Sequence, residues 1–525
     1  MSSTNGHAAK HDAVDISHHF SAFARRLDDF RLASTVNFPA GAINLNKAIP
    51  DAEYCPITAI DIHHLDPDAF ALQPTDAFPA AAQDREFCIS REFNEEGDGK
   101  FALKTALSYG AITGIPPLGT WITEWVEKIH NPLYNDWKTL INCGSAGSWT
   151  TCLSIFLDPG EMFLTDMYAY NIVLTQARAL DHEPVPILTD GEGMSADDLE
   201  RVLKDWDSGE GKKRPRLIYT QGCITNPTGQ LTSVARKKAI YELAVKFDLI
   251  ILEDDPYYFQ QAAPYPCSKE PQTQNQTQTQ TDDEWLRSLV PSYLSMDYQG
   301  RVVRLDTFSK SLAPGGRLGY YTAPASVIDK LIAHGDIHAS FPSGFAQAIL
   351  GELLHKYQHV GFVRWLRGIC AQYEMRRNWV IETLDKALDL EFSPDGRMVT
   401  AYARNADDAS KTTNRVSLMS FRVPAGGMCM WFNVHLSNHP RFPSLAAAST
   451  AQAKNQLTTD LVASLAKAGV MVRRGDLSAA ASAEERAERG EKGAFLRTSF
   501  GWGAKEEMEK GYSIFAAELG RLFGA

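Results

Sequence analysis

Short, continuous apolar runs recur through the middle of the chain, and segments of helix length separate them. Such runs occupy residues 162–164, 217–219, 249–252 and 302–303, and residues 236–247 have the length and composition of a helix. Runs this short are typical of strands covered on both faces, as in a parallel sheet between helices. The pattern therefore predicts an α/β fold with a mostly parallel sheet between helices.

The two ends of the chain have a different pattern. Near the start, Phe20, Phe23, Leu27 and Phe30 lie on one face of a short predicted helix, which either packs on a partner subunit or caps its own. Beyond residue 320, strands and helices alternate as in a smaller α+β domain. The predicted helices are at about 325–356 (broken near 341–344), 360–388, 455–467 and 504–522, and the predicted strands at 428–434, 470–472 and 495–500.

These patterns predict a chain in four parts. Residues 1–37 form an N-terminal tail with the short helix, and residues 38–84 an extended segment that contributes to the small domain. Residues 85–335 form the large domain, and residues 336–525 the small C-terminal domain.

Four segments inside these parts are predicted to be an irregular connection, polar insertions or disordered. Residues 66–96 are rich in Pro, Asp and Ala, and residues 405–414 and 479–492 are polar insertions. Residues 272–281 consist almost only of Gln and Thr, so about 266–284 are predicted to be a disordered surface insertion.

Composition narrows the classes of function. Of 525 residues, 44% are hydrophobic, so the chain can bury a large core. A net charge of −12 argues against a nucleic-acid or anionic-membrane partner, because no basic excess is present to neutralise phosphates. The eight cysteines show no CxxC pair or metal-like spacing, and neither a signal peptide nor an apolar run of ~20 residues occurs. The expectation is a reduced, cytoplasmic protein without a bound metal.

The stretch at residues 305–320 carries most of the candidate chemistry. After a strand-like run, hydroxyl groups flank Lys310, and a Pro-Gly-Gly bend and an arginine follow. A lysine amine forms a Schiff base with an aldehyde cofactor, and burial near other cations makes it lose its proton easily. Thr307, Ser309 and Arg317 would supply donors for a phosphate dianion. By itself, a Ser-Lys pair is equally compatible with a solvated surface lysine.

Three further segments offer binding groups next to predicted strands. Residues 142–148 open a helix whose free amides can cradle a phosphate, and residues 226–229 are Asn-Pro-Thr-Gly. Residues 253–258 begin Glu-Asp-Asp, and a carboxylate beside a pyridine nitrogen would keep that nitrogen protonated. Plain turns and loops are the structural alternatives for these segments. Tyr170 is as consistent with a core tyrosine, and Arg497 with a structural ion pair, although burying a guanidinium without an anion is costly.

Taken together, these stretches resemble the fold-type I pyridoxal 5′-phosphate aminotransferases, most of all the fungal aromatic-amino-acid and the kynurenine/2-aminoadipate aminotransferases. Residues 253–259, 290–297 and 424–428 carry the closer likeness, which extends from about residue 43 to the C-terminus without the insertions. The resemblance implies pyridoxal 5′-phosphate as cofactor, a large domain that binds it, amino acid and 2-oxo acid substrates, and a homodimer.

The resemblance also implies roles for the candidate residues. Lys310 binds the cofactor and moves a proton, Asp254 pairs with the ring nitrogen, and Arg497 clamps the substrate α-carboxylate. Tyr109 donates to the phosphate bound by the neighbouring subunit, unless it is a core tyrosine of its own subunit. The other implied cofactor contacts are Ser145, Ala146, Tyr170 (stacked on the ring and counted as catalytic), Asn226 (also near the substrate), Tyr257, Thr307, Ser309 and Arg317.

Three departures from the family pattern bear mainly on the substrate. Lys47 and Ala48 replace a glycine pair over the substrate and are therefore substrate-binding candidates. Arg473-Arg474-Gly475 replaces a Val-Pro-Gly turn, and Ala146 replaces a polar residue in the phosphate cradle. Lys47 and both arginines are candidates to bind a second carboxylate, while the alternative for Lys47 is contact with solvent or the other subunit.

The sequence thus predicts an aminotransferase that moves the amino group of an aromatic or related amino acid to a 2-oxo acid such as 2-oxoglutarate. The alternatives are a kynurenine or 2-aminoadipate donor, and a β-lyase that cleaves C–S bonds on the same frame. A cofactor-binding regulatory domain would need an N-terminal DNA-binding module, and the about 40 residues before the body are too few.

Overall fold

The computed structural model describes residues 10–30, 49–70, 84–92, 100–206, 213–266, 280–338, 342–404, 415–447, 449–489 and 493–524. The strands are β1 Ala59–Leu65, β2 Asp84–Ser90, β3 Trp137–Asn142, β4 Phe163–Asp166, β5 Pro184–Ile187, β6 Thr189–Asp190, β7 Gly193–Met194, β8 Leu217–Thr220, β9 Ile250–Asp254, β10 Val302–Thr307, β11 Gly319–Pro324, β12 Asp389–Phe392, β13 Met398–Tyr402, β14 Ser417–Arg422, β15 Cys429–Val434, β16 Arg473–Arg474 and β17 Ala494–Ser499. The helices are α1 Ala22–Arg26, α2 Leu103–Leu107, α3 Pro116–Ile129, α4 Ser145–Phe156, α5 Asn171–Ala179, α6 Ala196–Lys204, α7 Val234–Phe247, α8 Asp282–Ser288, α9 Ala325–Ile337, α10 Gly344–Ala387, α11 Phe442–Ala446, α12 Thr450–Lys467, α13 Ala483–Glu488 and α14 Lys505–Phe523.

A seven-stranded sheet forms the centre of the molecule, in the order β3-β11-β10-β9-β8-β4-β5. Six of its strands run in the same direction, and β11 runs in the opposite direction. Successive side chains point to opposite faces: Ile250 and Leu252 join the core on one face, and Ile251 joins the core on the other. Burial on both faces explains the continuous apolar runs and confirms the predicted α/β fold.

Helices cover both faces of this sheet. Helices α4, α5 and α9 pack on one face, whereas α3, α6, α7 and the first part of α10 pack on the other. The N-terminal segment lies on the first face, where Ile16, Phe20 and Leu27 are buried in the core. The short N-terminal helix therefore caps its own subunit, as one of the two predicted placements has it.

An antiparallel sheet of six strands lies in the C-terminal part, in the order β12-β13-β14-β15-β17-β16. Its core includes the second part of α10 together with α12 and α14. Helix α10 connects the two cores and is interrupted at Gln358, whose φ of 54° is not helical. The helices predicted at 325–356 and 360–388 correspond to α9 and the two parts of α10, and those predicted at 455–467 and 504–522 correspond to α12 and α14.

The prediction that residues 66–96 form an irregular connection is wrong in part, because they contain β2, which pairs with β1. Side chains along β1 alternate between exposed and half-buried, so no fully buried face produces an apolar pattern. Phe87 and Ile89 of β2 belong to the core beside α10, and the β1-β2 sheet is separate from both larger sheets. The boundaries of the four predicted parts stay a prediction.

Two further predictions need correction in the C-terminal part. Residues 470–472 are not a strand, because Val470 and Val472 pack on the small core and pairing begins only at β16. The supposed insertion at 479–492 contains α13, which Ser482 and Glu485 cap reciprocally, and Ala479–481 are buried.

The Gln/Thr-rich insertion lies outside the described residues except at its end, where Thr281 caps α8. Residues 405–414 also lie outside them. The seven cysteines of the described ranges are free thiols. In the same ranges, every helix is too short or too polar to cross a lipid bilayer.

Candidate active site

The carboxyl ends of β4, β8, β9 and β10 meet at one edge of the seven-stranded sheet, beside a cavity of about 330 Å³. Parallel strands end at a common edge, so the segments that follow them converge there. Of the predicted cofactor-binding and substrate-binding residues, all except Tyr109, Lys47 and Ala48 line this cavity, whereas Arg473 and Arg474, the candidates for a second carboxylate, do not: the lining residues among them are Ser145, Ala146, Tyr170, Asn226, Asp254, Tyr257, Thr307, Ser309, Lys310, Arg317 and Arg497.

The three exceptions differ from one another. Tyr109 is 70% exposed in the single chain, which contradicts the alternative of a core tyrosine. Lys47 and Ala48 lie outside the described residues.

Lys310 ends a 3-10 turn that directly follows β10. Burial lowers the pKa of its amine, with Cys429 opposing and the cations Arg317 and Arg497 adding to the effect. The Nζ atom lies 6.0 Å from the ring centroid of Tyr257, and the Lys310 carbonyl accepts a hydrogen bond from Gln260 at 2.9 Å. The fold thus fixes the backbone of Lys310 and favours the neutral, nucleophilic form of its amine.

Asp254 is the last residue of β9 and is 3% exposed. Its Oδ2 accepts a hydrogen bond from the Tyr219 hydroxyl at 2.8 Å, whereas Oδ1 is buried without a hydrogen bond of ordinary geometry among the described residues. Burial raises the pKa of Asp254 to about 6, and the hydroxyls of Tyr219 and Ser145 partly oppose that rise. A buried carboxylate oxygen that lines a cavity and has no hydrogen-bond partner can accept a hydrogen bond from a positively charged donor on a ligand.

A phosphate-sized cradle lies where α4 begins. Gly144 precedes the helix with φ of +87°, and a Cβ atom there would lie 3.0 Å from Nη2 of Arg317. The position therefore requires glycine for both its backbone conformation and its space. The Thr307 hydroxyl donates to Ser309 Oγ at 2.9 Å, and Arg317 Nη1 donates to the same oxygen at 3.4 Å. Hydroxyls, a guanidinium and a helix N-terminus thus converge.

The opposite wall of the cavity is formed by Asn226, Cys429 and Arg497. Arg497 Nη1 donates to Asn226 Oδ1 at 3.4 Å, and Cys429 Sγ lies 3.8 Å from the same oxygen. The Nε–H of Arg497 is buried without a partner among the described residues. Strand β17 places Arg497 opposite Trp431 on one side and Arg473 on the other. A guanidinium with unused donors at a cavity wall is suited to a carboxylate ligand.

The family comparison decides the identity of this site. The family described as aminotransferase class I and II matches residues 81–418, which is more than half of the chain. The chain belongs to this aminotransferase family.

Individual relatives of this aminotransferase match nearly its full length. An aromatic amino acid aminotransferase of Schizosaccharomyces pombe is 31% identical over 98% of this chain and 97% of its own. An L-tyrosine:2-oxoglutarate aminotransferase of Tapinella panuoides is 30% identical over 97% of this chain and 96% of its own. Among solved structures, an aminotransferase of Candida albicans has the same fold, with a TM-score of 0.79 and 24% identity over 98% of this chain and 100% of its own.

Class I and II aminotransferases depend on pyridoxal 5′-phosphate, and so does this aminotransferase. The cavity fits that cofactor on two observations of its own. The open Oδ1 of Asp254 matches a protonated ring nitrogen, and the cradle at Gly144 and Arg317 matches a phosphate dianion.

Several cavity residues and supports of this aminotransferase were not predicted from its sequence. Tyr219 and Gln260 hold Asp254 and Lys310, and their partners come from other strands or loops. The apolar pattern of β8 gave no sign of the Tyr219 contact, because that tyrosine also belongs to the core. The unpredicted lining residues are Gln221, Pro256, Pro314, Met428, Cys429 and Ser499.

Proposed function

We propose that this aminotransferase moves the amino group of an aromatic amino acid to a 2-oxo acid such as 2-oxoglutarate. The observation that carries the proposal is the full-length likeness to two fungal enzymes named for aromatic amino acids or tyrosine. A bovine kynurenine/alpha-aminoadipate aminotransferase is 28% identical over 65% of this chain, so kynurenine and 2-aminoadipate are the alternative donors. We infer further that the enzyme works as a cytoplasmic homodimer.

The reaction divides into two half-reactions that share one set of residues. When bound, pyridoxal 5′-phosphate draws electrons from the substrate Cα into its protonated ring. Lys310 would hold the cofactor covalently, and its amine, once an amino acid displaces it, would take the proton from Cα. The lowered pKa of Lys310 supports this role, because only a neutral amine accepts a proton.

The other cavity residues would orient the cofactor and stabilise its charged groups. Asp254 would keep the cofactor ring protonated, and Tyr170, half-buried at the start of α5, would stack on it. Asn226 and Tyr257 would donate to the phenolic oxygen of the cofactor. The phosphate would bind at Ser145, Ala146, Thr307, Ser309 and Arg317, the residues of the cradle.

Arg497 would bind the α-carboxylate that all donors and acceptors share, and its open Nε–H supports this assignment. For a second carboxylate, Arg473 is the better candidate of the two neighbouring arginines. Arg474 Nη2 is already held by Asp476 and Asn455, each at 2.6 Å. Arg473 lies opposite Arg497 and donates to Asn171 at 2.6 Å. Lys47 remains a further candidate.

The homodimer would complete each site. The exposed ring of Tyr109 would donate to the phosphate bound by the neighbouring subunit, and its 70% exposure in the single chain supports this. A mixed dimer of Tyr109→Phe and Lys310→Ala subunits would retain one site that has both groups, so partial activity is expected on mixing.

The test of the proposed substrate is a donor panel measured with 2-oxoglutarate as acceptor. Phenylalanine, tyrosine or tryptophan should give glutamate faster than kynurenine, 2-aminoadipate or aspartate. An aspartate-only profile would refute the aromatic assignment. Turnover of S-aryl cysteine conjugates without any 2-oxo acid would instead indicate a β-lyase, because elimination consumes no acceptor.

A further inference from the structure

A second concave region lies at the opposite edge of the seven-stranded sheet, where the chain enters β8. This region, the basic cavity, has a volume of about 680 Å³. Although the chain carries a net charge of −12, the basic cavity gathers five cations and only one acidic side chain among its described lining residues. These charged residues are Arg25, Lys204, Lys213, Arg214, Arg216 and Asp158.

Two guanidinium groups in the basic cavity converge on one neutral atom. Arg25 Nη2 and Arg216 Nη1 donate to the backbone carbonyl of His18, at 3.2 and 3.0 Å respectively. Both cations therefore lie within hydrogen-bond reach of the same oxygen. A carbonyl oxygen carries no net charge, so it adds no counter-charge against the repulsion between the two guanidinium groups.

Carboxylates near the basic cavity compensate its charge only in part. Glu200 pairs with Lys204 at 3.1 Å but also with Lys246, outside the cavity, at 2.5 Å. Glu161 is shared between Lys213 at 2.7 Å and Arg216 at 3.7 Å. Asp158 accepts a hydrogen bond from the backbone amide of Ala22 at 2.7 Å, which directs one of its oxygens to the start of α1. Glu161 and Glu200 thus each serve two cations, and Asp158 is engaged by the backbone.

Two of the cations have no carboxylate partner among the described residues. Arg25 donates to the His18 carbonyl, and Arg214 donates to the carbonyl of Phe247 at 3.1 Å. Clusters of like charge are destabilising unless an anion binds between them, and the planar fork of arginine suits phosphate oxygens.

We propose that the basic cavity binds a small anion that carries two or more linked phosphate groups. A single phosphate would engage only part of the five-cation cluster, whereas linked phosphates can pair with several of these cations at once. A long nucleic acid is not the occupant, because the rest of a chain with a net charge of −12 would repel it. Pyrophosphate and a nucleoside triphosphate share the required chemistry.

The bound anion would connect two parts of the molecule. Arg25 belongs to α1 in the N-terminal segment, whereas Lys213, Arg214 and Arg216 precede β8 in the central sheet. A ligand between them would fasten the N-terminal segment to the body. The site is separate from the aminotransferase cavity, because that cavity lies beyond the carboxyl end of β8 and the basic cavity before its amino end.

The test uses the full-length holoenzyme, in which the cofactor's own phosphate occupies the cradle at Arg317. Isothermal titration calorimetry with pyrophosphate and with ATP should show binding that weakens steeply as salt increases. Arg25→Glu should lower the affinity about tenfold or more, since it replaces one cation by a repelling anion. The matched control is Lys386→Glu, which makes the same change of charge at a side chain that is 72% exposed in the small domain.

The titration distinguishes a site for the phosphate chain, a site for a nucleotide and the absence of a site. Binding of both anions supports a site for the phosphate chain alone, and binding of ATP only supports a nucleotide site. Absence of binding for both, or an equal loss in Arg25→Glu and Lys386→Glu, overturns the proposal. As a check independent of the variants, pyrophosphate should slow amide hydrogen exchange in residues 10–30 of the wild type, and unchanged exchange there would also contradict it.

Discussion

Two adjacent carboxylates on one strand, Glu253 and Asp254, are equally buried but sit in opposite surroundings. Glu253 faces Arg304 of the neighbouring strand at 3.0 Å and accepts a hydrogen bond from the Tyr293 amide at 2.8 Å. Asp254 faces the cavity, with one oxygen on Tyr219 and the other without a partner among the described residues. The alternation of side chains along β9 separates a structural charge from a functional one.

The two carboxylates differ in whether the chain supplies a cation to pair with them. Arg304 is fully buried and also pairs with Asp306 through two hydrogen bonds of 2.9 and 3.0 Å, so this side of the sheet supplies its own counter-charge. On the other side no cation of the described chain pairs with Asp254, and burial raises its pKa to about 6. The missing counter-charge matches the protonated ring of the cofactor.

The largest expected effect is that of replacing Lys310, which lines the same cavity as Asp254. Lys310→Ala should lose the visible absorbance of the lysine-bound cofactor and lower turnover by about 10⁴-fold or more, because both the covalent attachment and the proton carrier are lost.

The matched control for Lys310→Ala is a buried structural lysine. Lys237 is 0% exposed and donates to the carbonyl of Pro291 at 2.7 Å. Lys237→Met should lower stability but retain the absorbance band in the folded fraction. Normal turnover in Lys310→Ala would remove this residue from the mechanism.

Two substitutions test the difference between Asp254 and Glu253 directly, one at Asp254 itself and one at Arg304, the partner of Glu253. Asp254→Asn should lower turnover by about 10²–10³-fold, because the ring nitrogen loses its anionic partner, while the stability of the cofactor-loaded enzyme in denaturant stays nearly unchanged. Arg304→Met should do the reverse and lower the free energy of unfolding by about 3–5 kcal/mol, since Glu253 and Asp306 keep their charges without a cation. Equal losses of turnover in the folded forms of both variants would end the distinction.

A smaller effect is expected for the adjacent arginines of β16 and β17. Arg497→Ala should lower kcat/KM about 10–100-fold for every donor, because all donors share the α-carboxylate. Arg473→Ala should raise KM several-fold for glutamate and 2-oxoglutarate and leave phenylalanine and phenylpyruvate nearly unchanged. Steady-state kinetics with both substrate pairs distinguish them, and the opposite pattern would exchange the two roles.

The smallest effect concerns stability and pH in the cofactor-free enzyme. The folded-state pKa of Asp254, about 6, is above the ordinary value of 3.8, so the folded protein holds this proton more tightly than the unfolded one. Its contribution to stability is complete below about pH 4 and is lost as pH rises through about 6, by up to about 3 kcal/mol.

Asp166 and Asp306 also have raised pKa values, so the measurement is the difference between wild type and Asp254→Asn. Denaturant unfolding from pH 4 to 7 should show a steeper decline in the wild type. Parallel curves would mean that Asp254 is not the group held protonated. Bound cofactor should abolish the difference, because its ring stabilises the ionised carboxylate.

The apolar runs predicted four of the seven central strands, β4, β8, β9 and β10, because these strands are buried on both faces. Strand β1 escaped prediction because its burial alternates only between exposed and half-buried positions. Eleven of the residues lining the cavity were predicted, from local motifs beside strands and at a helix start and from the family resemblance, whereas six were not. Their supports, such as Tyr219 for Asp254 and Arg304 for Glu253, depend on which strands are neighbours, and local sequence does not give that order.

The measurement that tests the central claim most directly is a single half-reaction. Holoenzyme mixed with phenylalanine and no 2-oxo acid should lose its visible band and release one equivalent of phenylpyruvate per subunit, and 2-oxoglutarate should then restore the band with one equivalent of glutamate. Release of product that continues without an acceptor, or a band that phenylalanine leaves unchanged, would contradict the assignment of Lys310 and Asp254 to amino-group transfer.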